Sequence, residues 1–461
     1  MSMPGRFVLS CLLVGSLCTG CRNEKDSSRV SDDHFTLMTL DPGHFHAALV
    51  QKTMYEGVSP TVYVYAPEGP DVEDYLARIQ GFNTRDIDPT QWIEKLYTGP
   101  DFLEKMLQEK PGNVLVLSGN NAKKTDYIMT AVSEGLHIIA DKPMVITPAK
   151  FPLLLEAFET AKKNGVLLYD IMTERHEITS LLQKRLSQIP DVFGTLEPGI
   201  PENPGITKES VHHFSKMVAG NPIQRPAWFF DPDQRGEALV DVSTHLVDLI
   251  QWACFPEQVI DYQTDIEMVA ARRWTTDLSL AQFSHVTRLD AFTPDLQPAV
   301  ENGMLRVFSN GEMTYKLKGV SAKVTVTWRY EAPEGTGDTH HSRMRGTKCD
   351  LEIRQGGPGN EKPTLYVVSH EPTLEPQVKK AVLETLQAEY PGIGLESAGE
   401  NQWVVTVPAT YRVGHEAHFG QVMQKYLGYL ADKTLPDWEV PNMIAKYYTT
   451  TQALKLGRAP E

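Results

Sequence analysis

Short apolar runs alternate with amphipathic stretches through the first part of the chain. Residues 35–40 (FTLMTL), 61–66 (TVYVYA), 113–118 (NVLVLS), 137–140 (HIIA) and 166–169 (VLLY) are brief and apolar, which predicts buried strands. Between them, helical spacing runs from Ala48 to about Tyr55, over 71–80, over 101–110, and over 148–163 with Asn164-Gly165 as its stop. Strand–helix alternation of this kind predicts a doubly wound parallel sheet. Over 228–252 the apolar residues Leu239, Val240, Leu246, Val247, Leu249 and Ile250 predict a helix. From about Phe255 the pattern shifts to strands, with 324–330 and 348–354 alternating, loops at 333–345 and 356–363, and an amphipathic helix from His415 to Leu430. The expected fold class is α/β plus α+β: a Rossmann-like domain over 34–170, then a mostly antiparallel open sheet with helices on one face over 171–461. Internal repeats are absent.

The start of the chain reads as an address. Arg6 precedes an apolar core, Phe7 to Leu17, too short to span a bilayer, and Thr19-Gly20 lead to Cys21. This looks like a bacterial lipoprotein signal over 1–21, with Cys21 lipidated. The leucine usual three places before that cysteine is Cys18 here, with Leu17 one place off, and an ordinary cleaved signal is the alternative. Residues 22–33 (RNEKDSSRVSDD) read as a flexible tether. The expected location is the periplasm or outer membrane, on a lipid anchor. Net charge is −15, and only Arg6 of the signal is charged, so the remainder is near −16. That charge excludes nucleic acid and anionic lipid as natural partners. Beyond the signal remain Cys21, Cys254 and Cys349, too few and too scattered for a disulfide framework or a C-x-x-C metal pattern. His340-His341 lack a spaced third ligand, and His415-Glu416-Ala417-His418 is not H-E-x-x-H, so no metal is expected.

Candidate chemistry gathers at strand ends, where open parallel sheets bind ligands. The first strand runs into Asp41-Pro42-Gly43-His44-Phe45-His46. A dinucleotide turn would carry small residues at 41, 43 and 46, and only Gly43 is one; Asp41 would repel phosphate. Glu68, past the second strand, is placed for a ribose, and Asn120 and Asn121 end another strand. Strand 137–140 ends in Asp141-Lys142-Pro143, where Pro143 constrains the backbone. Glu174, Arg175 and His176 follow the strand at 166–169. On a helix, Asp241 and His245 share one face, which suits proton transfer or hydroxyl binding; a structural pair is the plainer reading.

Order and spacing of Asp141-Lys142-Pro143, then Trp228, Asp231, Pro232, Gly236, Asp241, His245 and Asp248, resemble the glucose–fructose oxidoreductase, inositol dehydrogenase and MocA family over about 35–355, with a similar tail near 415–455. The resemblance implies a nicotinamide enzyme acting on a sugar hydroxyl, with C3 oxidation of a glycoside as its most specific form. It implies Lys142 and His245 as catalytic pair, with Asp241 beside them. It implies NAD or NADP, held tightly, on Gly43, His44, Phe45, His46, Glu68, Asn120, Asn121, Asp141, Lys142 and Pro143. Substrate would meet Lys142, Arg175, Trp228, Asp241 and His245. Residues around 360–410 exceed the family plan and read as an extension of the sheet. Implied partners are a sugar or glycoside, a second copy of the chain through the sheet domain, and a downstream keto-glycoside lyase. Two rivals stand: an NAD-dependent glycosidase that oxidises C3 transiently and eliminates, and a carbohydrate-binding lipoprotein without catalysis.

Overall fold

Strands buried on both faces read as near-continuous apolar runs, and the chain supplies them, interrupted by Thr39, Asp141 and Asp170. The computed structural model describes residues 35–218, 221–356 and 360–459; the signal, Cys21 and the tether lie outside the described residues. β1 (Leu37–Leu40), β4 (Val114–Leu117) and β6 (Leu168–Ile171) are buried throughout, and β5 (His137–Asp141) at all but its first residue. With β2 (Thr61–Ala66) and β3 (Ile93–Thr98) they form a six-stranded parallel sheet of order β3-β2-β1-β4-β5-β6. The order reverses between β1 and β4, so the crevice for a ligand opens beyond the carboxyl ends of those strands.

Three expectations change. The helix after β1 spans only His46–Leu49. Tyr55 Oη donates to the Val50 carbonyl at 2.6 Å and Trp92 Nε1 to that of Gln51 at 2.7 Å, so those acceptors leave the helical ladder. β3, which the sequence pattern missed, is a largely exposed edge strand and shows no apolar alternation. Segment 228–252 is not one helix. A 3₁₀ turn (Ala227–Phe230) and one helical turn (Pro232–Arg235) end at Gly236, φ 100°, and the helix proper is Ser243–Cys254. A side chain at Gly236 would meet Ile146 at 2.9 Å, so packing adds to the left-handed φ in requiring glycine there.

The second domain is a ten-stranded sheet. Its centre is the Ile206–Ser215 strand, parallel to Val320–Glu331 and antiparallel to Thr339–Arg345. The latter half of the expected 333–345 loop is thus a strand. Strands Thr364–Ser369, Gly394–Gly399 and Gln402–Thr406 carry the sheet outward across the 360–410 region. The last two helices, His415–Asp432 and Glu439–Gly457, return to the first domain, where Phe419, Met423, Tyr426, Met443 and Tyr447 join its core. No helix among the described residues is long and apolar enough to cross a membrane. Cys254 and Cys349 are free thiols.

A buried ionic network ties the last helix to the end of β6 and to the Ser243–Cys254 helix. Arg175 donates to both Asp248 oxygens at 2.7 Å and to Glu439 at 2.9 Å. Lys446 meets Asp170 at 2.7 Å and Asp248 at 2.8 Å. Removing one member strands a buried charge, at a cost of about 3–5 kcal/mol.

Burial also acts on one acid of the edge strand. Glu94, bonded by Gln51 Nε2 at 2.7 Å and by Tyr75 Oη at 3.2 Å, has its pKa pushed up to about 7 by desolvation. A raised acid pKa opposes folding where the unfolded chain is ionised: the penalty grows above the unfolded value and is complete above about 7. Glu94→Gln is therefore expected to raise the melting temperature at pH 8 and to leave it nearly unchanged at pH 4. An equal shift at both pH values, by differential scanning calorimetry, would contradict this account.

Candidate functional site

Two adjoining cavities, of about 690 and 650 Å³, open at the carboxyl ends of β1 and β5 and share His44, Phe45, Arg225, Trp228 and Phe229 as walls. The first is a groove over the β1 turn, running from Glu68 past Gly43 to Trp228. The second, polar in its many titratable side chains, lies between the first sheet and the Ile206–Ser215 strand. Lys142, Asp241, His245, Glu174 and His415 stand on one side of it, His212, Asp338 and His340 on the other.

In the second cavity, Lys142 Nζ donates to Asp241 Oδ1 at 2.6 Å. Arg235 Nε donates to Asp241 Oδ2 at 2.8 Å. Burial opposes ionisation of Asp241, yet Lys142 and Arg235 hold its carboxyl well below the usual carboxylate range. The Lys142–Pro143 peptide is cis, and Pro143 is buried outside both cavities. Asp241 precedes the helix rather than sitting in it, so the expected Asp241–His245 pair on one helix face does not form. His245 is instead governed by burial and then by the Lys142 cation, which push its pKa down to about 3. Its Nδ1 is buried without a partner.

The groove keeps part of a dinucleotide site and alters the rest. Glu68 stands exposed at its far end. A Cβ on Gly43 would lie 2.9 Å from Asp71 Oδ2, so a side chain there would have to displace that carboxylate. The amides that would cradle a diphosphate are engaged within the chain: Gly43 N donates to the Asp41 carbonyl at 2.9 Å and His44 N to that of Ser118 at 3.3 Å. Burial raises the pKa of both Asp41 and Asp71. Arg78, on the groove wall with its guanidinium 5.6 Å from the Phe45 ring, is a cation at this point, paired with Asp74 at 2.6 Å; Arg225 and Arg288 line the same groove. The residues present are compatible with a dinucleotide at Glu68, for a ribose, and at Gly43, with Arg78 in place of amide donors at the middle.

Other expected residues divide. Trp228 lies between the cavities, its Nε1 donating to Asp71 at 3.0 Å. Asn120 and Asn121 donate to Gln234 Oε1 and the Arg235 carbonyl, both at 2.7 Å, and so latch the first domain to the Asp231–Gly236 segment. Only Asn121 lines a cavity. Arg175 is a correction: it belongs to the buried ionic network and lines neither cavity, while its neighbour Glu174 faces the polar one and contacts His415 at 3.3 Å. Sequence reading missed Arg235, whose pairing with Asp241 no spacing reveals. It also missed Ser210, His212 and Asp338. Ser210 Oγ and His212 Nε2 are 2.5 Å apart, and His212 Nδ1 meets Asp338 at 2.9 Å. The alternation of Ser210 and His212 along one strand face was the available signal.

Because Asp241 separates two buried cations, Asp241→Asn is expected to destabilise the protein by about 3–5 kcal/mol. Adding Lys142→Met should then recover part of that loss, because the second substitution removes the repulsion left by the first. Denaturant unfolding of both single variants and the double would measure the coupling. Additivity within about 0.5 kcal/mol would mean that the pair does not act as a unit.

Residues 182–458 match the family described as "Putative oxidoreductase C terminal domain". A crystal structure of a "putative oxidoreductase" from Parabacteroides merdae ATCC 43184 is 54% identical, with TM-score 0.90 over 92% of this chain and 98% of that one. At 14% identity, another so described, from Thermotoga maritima, superposes with TM-score 0.58 over 92% and 98% of the two chains. Levoglucosan dehydrogenase in complex with NADH and levoglucosan gives 12% identity and TM-score 0.57 over 92% and 98%; these last two likenesses show the fold alone. No curated protein matches the chain. On the family match and the 54% identical relative, the chain belongs to the oxidoreductase family that carries this carboxy-terminal domain, built on the two-domain fold of the glucose–fructose oxidoreductase, inositol dehydrogenase and MocA type.

Proposed function

We propose that the protein oxidises a hydroxyl of a sugar, most specifically C3 of a glycoside, with NAD or NADP held in the groove. The observation that carries this reading is Lys142 Nζ, fixed by Asp241 in the cavity that adjoins the groove. The fold shared with levoglucosan dehydrogenase, described with NADH and levoglucosan, supports it. When bound, the nicotinamide supplies the hydride acceptor. The chain supplies position and proton handling. Glu68 would take ribose hydroxyls, Gly43 the close backbone approach, and Arg78 the diphosphate charge. In the cavity His245 is neutral but, with its pKa pushed down to about 3, a weak base, so it can take the hydroxyl proton once oxidation at the carbon makes that proton strongly acidic. Lys142, already a donor to Asp241, stabilises negative charge growing on the sugar oxygen.

A second reading has its own observation. The Ser210–His212–Asp338 chain forms another acid–base station in the same cavity. A glycosidase that oxidises and then eliminates needs such a second station, whereas net oxidation needs one. Product analysis separates a keto-glycoside from a cleaved sugar.

Denaturing the purified protein and weighing the released small molecules tests the cofactor; a preparation that neither releases nor binds a dinucleotide rejects the reading. With an active sugar in hand, Lys142→Ala is expected to lower kcat by about a hundredfold or more. Unchanged turnover would remove Lys142 from the chemistry.

We also propose export and anchoring through lipidated Cys21. Cys21→Ser should move the protein from the membrane to the soluble fraction, and absence of labelled palmitate in the wild type would refute the anchor.

A further inference from the structure

We propose that His44, His46 and Asp141 form a divalent transition-metal site at the edge of the polar cavity. One ligand atom from each of the three side chains lies within 4.8 Å of the others. The Asp141 oxygen is shared: His46 Nδ1 stands 2.9 Å from Oδ2, and His44 Nδ1 3.9 Å from the same atom. The second distance is too long for a hydrogen bond. Ligand bonds of about 2.0–2.2 Å, as at zinc, set donor atoms roughly 3–3.5 Å apart, so a cation centred among the three needs adjustments well under an ångström for the two distances to Asp141. A hydrogen bond joins His46 to Asp141 at 2.9 Å, but none joins His44 to that carboxylate. The His44 ring nitrogen receives only a long bond from the His46 amide at 3.3 Å, and its ring stands 4.1 Å from that of His46.

The surroundings are those of a ligand set with an outer shell. Ser118 Oγ donates to Asp141 Oδ2 at 3.2 Å and so helps to orient the carboxylate, while Lys124 Nζ donates to the Asp141 backbone carbonyl at 2.9 Å and fixes the main chain there. Asp141 and His46 are buried, while His44 is half-buried and faces the cavity. Two histidines and one carboxylate leave coordination positions open, the pattern of a catalytic rather than a structural site. Imidazole with carboxylate suits Zn²⁺, Fe²⁺ or Mn²⁺. The open positions face the cavity that holds Lys142 and His245, so a water or a sugar oxygen is the class of ligand they would take. The site also explains the residues that break the glycine pattern of the β1 turn: His46 stands where a small residue is expected, and it is a ligand. This inference does not rest on the dinucleotide reading, since its three side chains can hold a cation whether or not the groove is filled.

The test uses the full chain, stripped with a chelator and kept free of dinucleotide. Co²⁺ titration is expected to give one equivalent with the visible absorption of a low-symmetry site, and Zn²⁺ to bind one equivalent by calorimetry and displace it. His44→Gln and His46→Gln should each weaken Zn²⁺ binding by about a hundredfold or more. His370→Ala, which breaks an exposed His–Asp pair on the far sheet, should leave it unchanged. If a variant melts below the assay temperature, the Co²⁺ spectrum of the wild type decides by itself, because two imidazole ligands shift it from that of the aqueous ion. No stoichiometric Co²⁺ or Zn²⁺ uptake by the wild type would overturn the proposal, as would equal affinity in the folded His44→Gln and His46→Gln variants. Failure to find a dinucleotide would leave it standing.

Discussion

One buried carboxylate holds the two halves of the site together. Asp241 comes from the second domain, and it accepts from Lys142, at the end of a strand in the first, and from Arg235 in its own domain. A lone carboxylate at that depth would be costly. Two cations make ionisation favourable, and the same contacts fix the Lys142 ammonium within the angular range that hydrogen bonding allows. The positioning of Lys142 is thus a by-product of solving the burial of Asp241. His245 gains from this indirectly: the neighbouring cation and its own burial keep the imidazole neutral.

A second set of buried charges does the corresponding structural task. Arg175, Asp248, Glu439, Lys446 and Asp170 join the end of β6, the Ser243–Cys254 helix and the last helix of the chain. Such a network is weak evidence of stability but strict about geometry, because each member left alone is expensive. It explains why Arg175 is unavailable to a substrate, and it fixes the last helix; Lys425, on the helix that begins at His415, reaches Glu439 of that network at 3.4 Å. Asn120 and Asn121 add a neutral latch to the Asp231–Gly236 segment. The crevice between domains is therefore bounded by fixed walls.

The β1 turn shows how far a phosphate-binding loop can drift while the fold persists. Gly119 needs to be glycine because an added Cβ would lie 2.1 Å from the Asp41 carbonyl, so the β1 and β4 loops touch. The turn spends two amides on the chain itself and carries Asp41 in a left-handed conformation, φ 50°, with Tyr127 Oη donating to its carboxylate at 3.0 Å. Only short-range sterics are shared with an ordinary dinucleotide turn; the charges are reversed.

Periodicity and punctuation alone determined much here. Apolar runs gave the central strands, Gly165 ended its helix, and the placement of Asp141-Lys142 at a strand end followed from the open-sheet rule. Those features depend on neighbours in sequence, where sterics and burial act over a few residues. What only the tertiary structure decided has the opposite character. Whether Asp241 meets His245 or Lys142 depended on where Gly236 breaks the chain and on an arginine six residues away. Whether Arg175 faces substrate depended on Glu439, 264 residues further along. The edge strand at Ile93–Thr98 is half solvent-facing, so it left no apolar period to detect. Ser210, His212 and Asp338 meet because antiparallel pairing brings the Thr339–Arg345 strand beside Ile206–Ser215. Charge partners are chosen by a three-dimensional balance of desolvation against Coulomb attraction, and linear spacing carries no record of that balance.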